Sequence, residues 1–148
     1  MQRGIEWWDI WFLGLAEYIS TASKDPSTKV GAVIADKQNR IVSIGYNGFP
    51  RGVKDDNRLI NRPLKYQLVV HAEKNALIFA NKSVENCVIY TYPFMPCSVC
   101  AASIIQSGID RVVSYVNYNA SWAENFKLSA QILKEAGVEL GLYENKIQ

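Results

Sequence analysis

Histidine is nearly missing from this chain: of 148 residues only His71 is one, beside three cysteines and two methionines. Long apolar runs are missing too. The N-terminal stretch "MQRGIEWWDIWFLGLAEY" is broken by Glu6, Asp9 and Glu17, so it is neither a secretory h-region nor a membrane span. No stretch reaches the ~20 apolar residues that a spanning helix needs, so no membrane partner is expected. Internal repeats, low-complexity tracts and linkers are absent, and the length suits one domain, 1–148, with a sizeable core. Charge of one sign is also lacking. The net charge is +2 and the pI about 8.4, below the range of a dedicated nucleic-acid binder, so no nucleic-acid partner is expected either. These absences point to a cytoplasmic protein, where cysteines stay reduced and clustered ones serve as metal ligands or catalytic thiols.

What charge there is sits unevenly. Residues 51–66 hold Arg51, Lys54, Arg58, Arg62 and Lys65 against Asp55 and Asp56, a local excess of three positive charges that suits a small anion better than a long polyanion. Around this segment the pattern is regular. Trp8, Trp11, Phe12, Leu15 and Ile19 recur at steps of three and four, predicting an amphipathic helix over 7–22, broken by "KDPST". The β-branched stretches 29–36 and 40–47, joined by a turn at 36–39, predict an antiparallel hairpin. Residues 48–66, with Gly48, Pro50, Gly52 and Pro63, read as one long loop, a length that is usually functional.

Beyond it the pattern predicts helix 71–82, strand 87–92, helix 97–107, strand 111–116, helix 121–136 and strand 138–143. Gly108 and Gly137 lie at the ends of two of these helices. A hairpin followed by α-β-α-β-α-β implies right-handed crossovers and parallel pairing. The expected fold is α/β: three layers, with a mixed five-stranded sheet between helices.

Two short segments carry chemistry. "HAE" (71–73) opens one helix and "PCSVC" (96–100) another. Cys97 and Cys100 are three apart, so both sulfurs share a helix face. Both segments fall at the carboxyl edge of the sheet, where α/β ligand sites gather. A lone His at a helix start is usually structural, and a lone Cys-x-x-Cys is redox-active or half of a structural zinc site. Together, one imidazole and two thiolates suit Zn²⁺ and leave its fourth position open, as in a catalytic site. Glu73 is not needed as a ligand and is placed to move protons. Cys87 starts a β-branched strand and reads as core. No further His and only this Cys remain, so one zinc per subunit is expected.

His-x-Glu followed by Pro-Cys-x-x-Cys about 25 residues later is the signature of the zinc nucleobase deaminases. The chain resembles the zinc-dependent cytidine/deoxycytidylate deaminase family and, within it, the deoxycytidylate (dCMP) deaminases. The resemblance runs over about residues 20–120, through "SKDPSTKVGAVI", "GYNGFPRG", "HAEKNAL", "TYPFMPCSVCAASIIQSGI" and "YVNYN". "TYPFMPC" is one residue longer than the family's Thr-x-x-Pro-Cys spacing.

The resemblance implies a cytidine-deaminase-like fold and hydrolysis of dCMP to ammonia and dUMP, the nucleotide that thymidylate synthesis consumes. It implies His71, Cys97 and Cys100 as zinc ligands and Glu73 as proton shuttle, with main chain near Ala72 and Pro96 at the base edge. Asn47 is the candidate for the sugar hydroxyl, and Ser23, Thr28 and Lys29 for the 5′-phosphate. It associates "GYNG", Gly45, Tyr46, Asn47 and Gly48, with an allosteric site where dCTP with Mg²⁺ activates and dTTP inhibits. Arg51, Arg58, Arg62 and Lys65 are then candidates to meet the effector triphosphate. It also implies a homo-hexamer, in keeping with Trp7, Trp8 and Trp11 on more than one face of the first helix. The alternatives are a deaminase of free cytidine or of tRNA adenosine, against which "GYNG" and the modest pI speak, and a non-catalytic zinc-stabilised domain, in which Glu73 would have no task.

Overall fold

The computed structural model describes residues 2–145; Met1 and 146–148, the ends of the single domain read from the sequence, lie outside the described residues. Helix α1 (Ile5–Ser20) leads into the hairpin β1 (Gly31–Ala35) and β2 (Ile41–Tyr46). Helices α2 (Arg62–Leu68) and α3 (Ala72–Ile78) follow, then β3 (Val88–Tyr92), α4 (Ser98–Gln106), β4 (Arg111–Tyr115), α5 (Ala123–Glu135) and β5 (Glu139–Tyr143). The sheet order is β2-β1-β3-β4-β5. β1 pairs antiparallel with β2 and β3, whereas β3–β4 and β4–β5 are parallel. The expected mixed five-stranded sheet is therefore present.

Sequence dictates the layers directly. Every residue of β1 is buried, as expected of a central strand covered on both faces. Ala32 and Ile34 join the core beneath α3, α4 and α5, with Ala76, Ile104 and Leu133. Val33 and Ala35 point the other way, onto Phe12, Leu13 and Ala16 of α1. The turn between β1 and β2 is set by Asp36, whose carboxylate accepts from the amides of Gln38 and Arg40, and by Asn39 at φ 63°. α4 is followed by Gly108 at φ 91° and α5 by Gly137 at φ 78°, the left-handed stops expected from the sequence. Among the described residues no helix is long and apolar enough to cross a membrane.

Residues 48–66 are not a structureless loop: they contain a 3-10 turn, Asn57–Leu59, and the first turn of α2. The Asp56 carboxylate accepts from the Arg58 amide and the Asn61 side chain accepts from the Leu64 amide. Pro63, in the first turn of α2, needs no amide partner there. Asn and Pro act as helix starters here, not as breakers. The segment is closed at its base, where Gly48 and Val70 exchange two backbone hydrogen bonds of 3.1 and 2.7 Å. Helix α3 is also shorter than expected, ending at Ile78 with Phe79 as its C-cap.

Helix α3 lies unusually close to β2. A Cβ on Gly45 would stand 2.3 Å from the Ala72 carbonyl oxygen and 2.5 Å from the Ala76 amide nitrogen. Only glycine permits that approach. Gly45→Ala is therefore expected to push α3 off the sheet, at a cost of about 1–3 kcal/mol typical of overpacking. Urea unfolding and metal content measured together check this: stability and bound zinc fall in parallel, because Ala72 lies between His71 and Glu73.

Candidate metal centre

His71 is the N-cap residue of α3 and Cys97 that of α4, both in extended conformation with no side-chain capping bond. Neither side chain is spent on its own helix, so both project from the helix starts. Cys100 lies one turn further along α4 and is buried. The His71 Nδ1 atom is 3.6 Å from the Cys97 sulfur and 3.2 Å from the Cys100 sulfur. The three ligand atoms lie within 4.8 Å of one another, a spacing that can hold a metal ion. At Zn–N ~2.0 Å and Zn–S ~2.3 Å, a tetrahedral ion sets its nitrogen and sulfur ligands ~3.5 Å apart. The observed distances bracket that value, and the donor set fits zinc.

Helix α5 braces the second helix start. The Asn125 Oδ1 accepts from the Ser98 amide at 2.9 Å, and its Nδ2 donates to Ser98 Oγ at 3.0 Å. Ser129 Oγ donates to the Pro96 carbonyl at 2.8 Å. Cys97 is thus held from both sides.

Electrostatics follow from burial and crowding. Hydrogen bonding to Cys100 draws the Cys97 thiol down to about 4, against burial and helped by His71. Cys100 is pushed up by the same hydrogen bond and by its own burial. The pair therefore gives up one proton readily, and the second leaves when a cation takes both sulfurs as thiolates. His71 is raised, chiefly through its hydrogen bond to Cys97. Glu73, in the first turn of α3, is 4% exposed. Burial pushes its carboxyl up to about 7, with its own backbone amide and His71 opposing. A carboxyl poised near neutrality can both take and give a proton.

A cavity of about 260 Å³ opens beside this group, lined by His71, Ala72, Glu73 and Cys97. Phe94, Trp122 and Phe126 form an aromatic wall, with ring centroids 5.4–6.1 Å apart. Thr28 and Asn47 also line the cavity. Asn47 is buried, accepting from the Val30 amide at 2.9 Å and donating to the Thr28 carbonyl at 3.0 Å.

The remaining sequence candidates are placed elsewhere. Ser23, Lys29 and Pro96 are not among the lining residues. Ser23 Oγ donates to the Asn47 carbonyl, and the Lys29 ammonium donates to the Ser23 carbonyl. Gly45 serves the approach of α3. Tyr46 is exposed, and its carbonyl accepts from Asn75. Arg51 stacks over Phe79, and Arg58 bonds Asp56. Arg62 and Lys65, grouped by sequence with these two, instead line the cavity with His71. Lys65 is not an open cation for a triphosphate: it is 3% exposed and paired with Asp25 at 3.2 Å.

Sequence reasoning missed Asp25, Phe94, Trp122, Asn125, Phe126 and Ser129. The spacing of Trp122 and Phe126, four apart, was the one available signal for the aromatic wall.

A profile of the cytidine and deoxycytidylate deaminase zinc-binding region matches residues 6–116. The chain belongs to the cytidine and deoxycytidylate deaminase family. An uncharacterized deaminase of Aliivibrio fischeri is 44% identical over 136 residues, covering 90% of this chain and 91% of that one. A probable deoxycytidylate deaminase of Drosophila melanogaster is 41% identical over 144 residues, covering 89% and 70%. Deoxycytidylate deaminase of Mus musculus is 39% identical over 138 residues, covering 88% and 76%. Among solved structures, dCMP deaminase of the cyanophage S-TIM5, in complex with dCMP and dUMP, superposes with a TM-score of 0.75 at 22% identity. It covers 96% of this chain and all of that one. The cytidine-deaminase-like fold expected from the sequence is the observed one.

Proposed function

We propose that the chain hydrolyses dCMP to dUMP and ammonia, using one zinc ion per subunit held by His71, Cys97 and Cys100. The observation that carries this reading is Glu73, a buried carboxyl with a raised pKa in the same cavity as the metal-ligand group. A structural zinc site has no use for it. Relatives named deoxycytidylate deaminase support the choice of substrate. Bound zinc would supply the Lewis acidity that makes water a competent nucleophile at neutral pH.

The chain's own residues do the rest. Glu73 takes a proton as water attacks C4 of the cytosine ring and delivers it to N3. A second proton passes through Glu73 to the departing amine. The water oxygen ends as the C4 carbonyl and the amino group leaves as ammonia. The Ala72 main chain borders the base edge, and the wall of Phe94, Trp122 and Phe126 offers flat apolar surface to the ring. Asn47 is offered to the sugar hydroxyl and Thr28 to the 5′-phosphate, a reading supported by their both lining the cavity.

Regulation belongs to the same proposal. Tyr46 is exposed, whereas Asn47, the next residue, is buried against the cavity. A nucleotide held at Tyr46, with Arg51 and Arg58 nearby in sequence, would be one residue from the substrate site. dCTP with Mg²⁺ then activates and dTTP inhibits. Ile5, Trp7, Ile10 and Trp11 of α1 are exposed, which supports burial against other copies in a hexamer.

Ammonia release from dCMP, cytidine and a tRNA anticodon stem, with and without the two effectors, tests the reading. Activity on dCMP that is lost on chelation and restored by zinc is expected. Turnover of cytidine or tRNA alone would assign another deaminase. No turnover from zinc-loaded protein would leave a non-catalytic domain.

A further inference from the structure

The cavity has a charge pattern that the reaction at C4 does not use. Among the described residues, three side chains lining it can carry positive charge: His71, Lys65 and Arg62. His71 belongs to the metal centre. Lys65 is committed to Asp25 at 3.2 Å, and both side chains are nearly inaccessible. Asp25 Oδ1 also accepts from the amides of Ser27 and Thr28 at 2.8 and 3.1 Å, so the Lys65–Asp25 pair is a closed, neutral unit. Lys29 is turned onto the Ser23 carbonyl, outside the lining. Arg62 is exposed, and among the described residues no acid pairs with it.

The cavity lining thus holds His71, Cys97 and Glu73 and, besides them, one uncompensated guanidinium. A guanidinium without an internal carboxylate partner matches a phosphate well, offering two parallel N–H donors. A neutral nucleoside offers nothing that needs it.

We propose that Arg62 recognises the 5′-phosphate of the substrate and sets the preference for nucleotide over nucleoside. This rests on the dCMP reading for its substrate, and it takes the phosphate role from Ser23, whose buried hydroxyl is committed to the Asn47 carbonyl, and from Lys29, which donates to the Ser23 carbonyl and does not line the cavity. Arg62 selects by charge, while the Lys65–Asp25 pair shapes the wall beneath it.

Binding needs no turnover, so it separates this inference from the deaminase reading. Calorimetry on the zinc-loaded protein should show dUMP binding more tightly than deoxyuridine. Arg62→Gln should lose that preference by about 10- to 100-fold, the range of a charge-assisted pair at a partly open site, with deoxyuridine affinity unchanged. Arg62→Lys should recover part of it. In turnover, Arg62→Gln should raise KM for dCMP and leave kcat near wild type. The inference is overturned if wild type binds dUMP and deoxyuridine equally or binds neither. It is also overturned if Arg62→Gln keeps the preference, or weakens both ligands alike. If the binding pattern holds while no ammonia forms, the phosphate assignment stands and the deaminase reading falls.

Discussion

Glu73→Gln is expected to lower ammonia release from dCMP by about 10²–10⁴-fold, the range of a lost general acid–base group, while each chain still binds one zinc. Glutamine has the volume of glutamate, so the buried site keeps its packing. It cannot take a proton from water or return one to N3. The three metal ligands are untouched, so metal analysis separates a lost proton carrier from a collapsed site. Stability should not fall, because burial already disfavours the charged form of Glu73 and a neutral amide escapes that cost. Activity within a few-fold of wild type would remove Glu73 from the mechanism.

The second large effect is on stability and lies on the opposite face of the sheet. Asp9 of α1 is fully buried. It accepts from the two terminal guanidinium nitrogens of Arg111 at 2.7 and 2.6 Å, and from the Tyr143 hydroxyl at 2.6 Å. One carboxylate thereby ties α1 to both β4 and β5. Its hydrogen bonds hold Arg111 firmly charged, above the usual guanidinium value. Among the described residues, Asp9→Ala leaves that cation with only one acid, Glu139, itself 70% exposed, at 3.2 Å. Breaking a buried pair from one side costs about 3–5 kcal/mol. The urea midpoint should fall accordingly, with zinc content still one per chain if the protein is kept folded. Replacing both partners, as Asp9→Leu with Arg111→Met, should recover much of the loss. A single-variant loss below about 1 kcal/mol would show the pair to be incidental.

The contrast between these residues explains what could be read in advance. Glu73 was visible because its chemistry is local: His71 lies two residues away, and the two cysteines repeat the same device, a ligand at a helix start. The strands were visible for a similar reason, since β-branched runs between turn residues need no distant partner. Asp9 was invisible as a structural lock, because its partner is 102 residues away and nothing in α1 announces it. Lys65 is grouped with the effector arginines because a lysine among them reads as an open cation, and only the fold pairs it with Asp25. Gly45, grouped by its sequence stretch with an effector site, instead admits the close approach of α3. Helix α2 is hard to see in the sequence because Pro63 among Gly48, Pro50 and Gly52 reads as loop, although a proline in the first turn after an Asn cap also starts helices. Asn125 and Ser129 were beyond reach, since their partners are the backbone groups flanking Cys97.

The bridge between Gly48 and Val70 separates two parts of the molecule that can change at different rates. Residues 49–69 leave the sheet and return to the same point, so lengthening this excursion adds little closure entropy, about 0.6 kcal/mol per doubling. The metal ligands lie outside it, fixed by α3, α4 and α5. Arg62 and Lys65 lie inside it. On the Arg62 proposal, divergence within the excursion would retune which end-group a substrate must carry without disturbing the metal-ligand group.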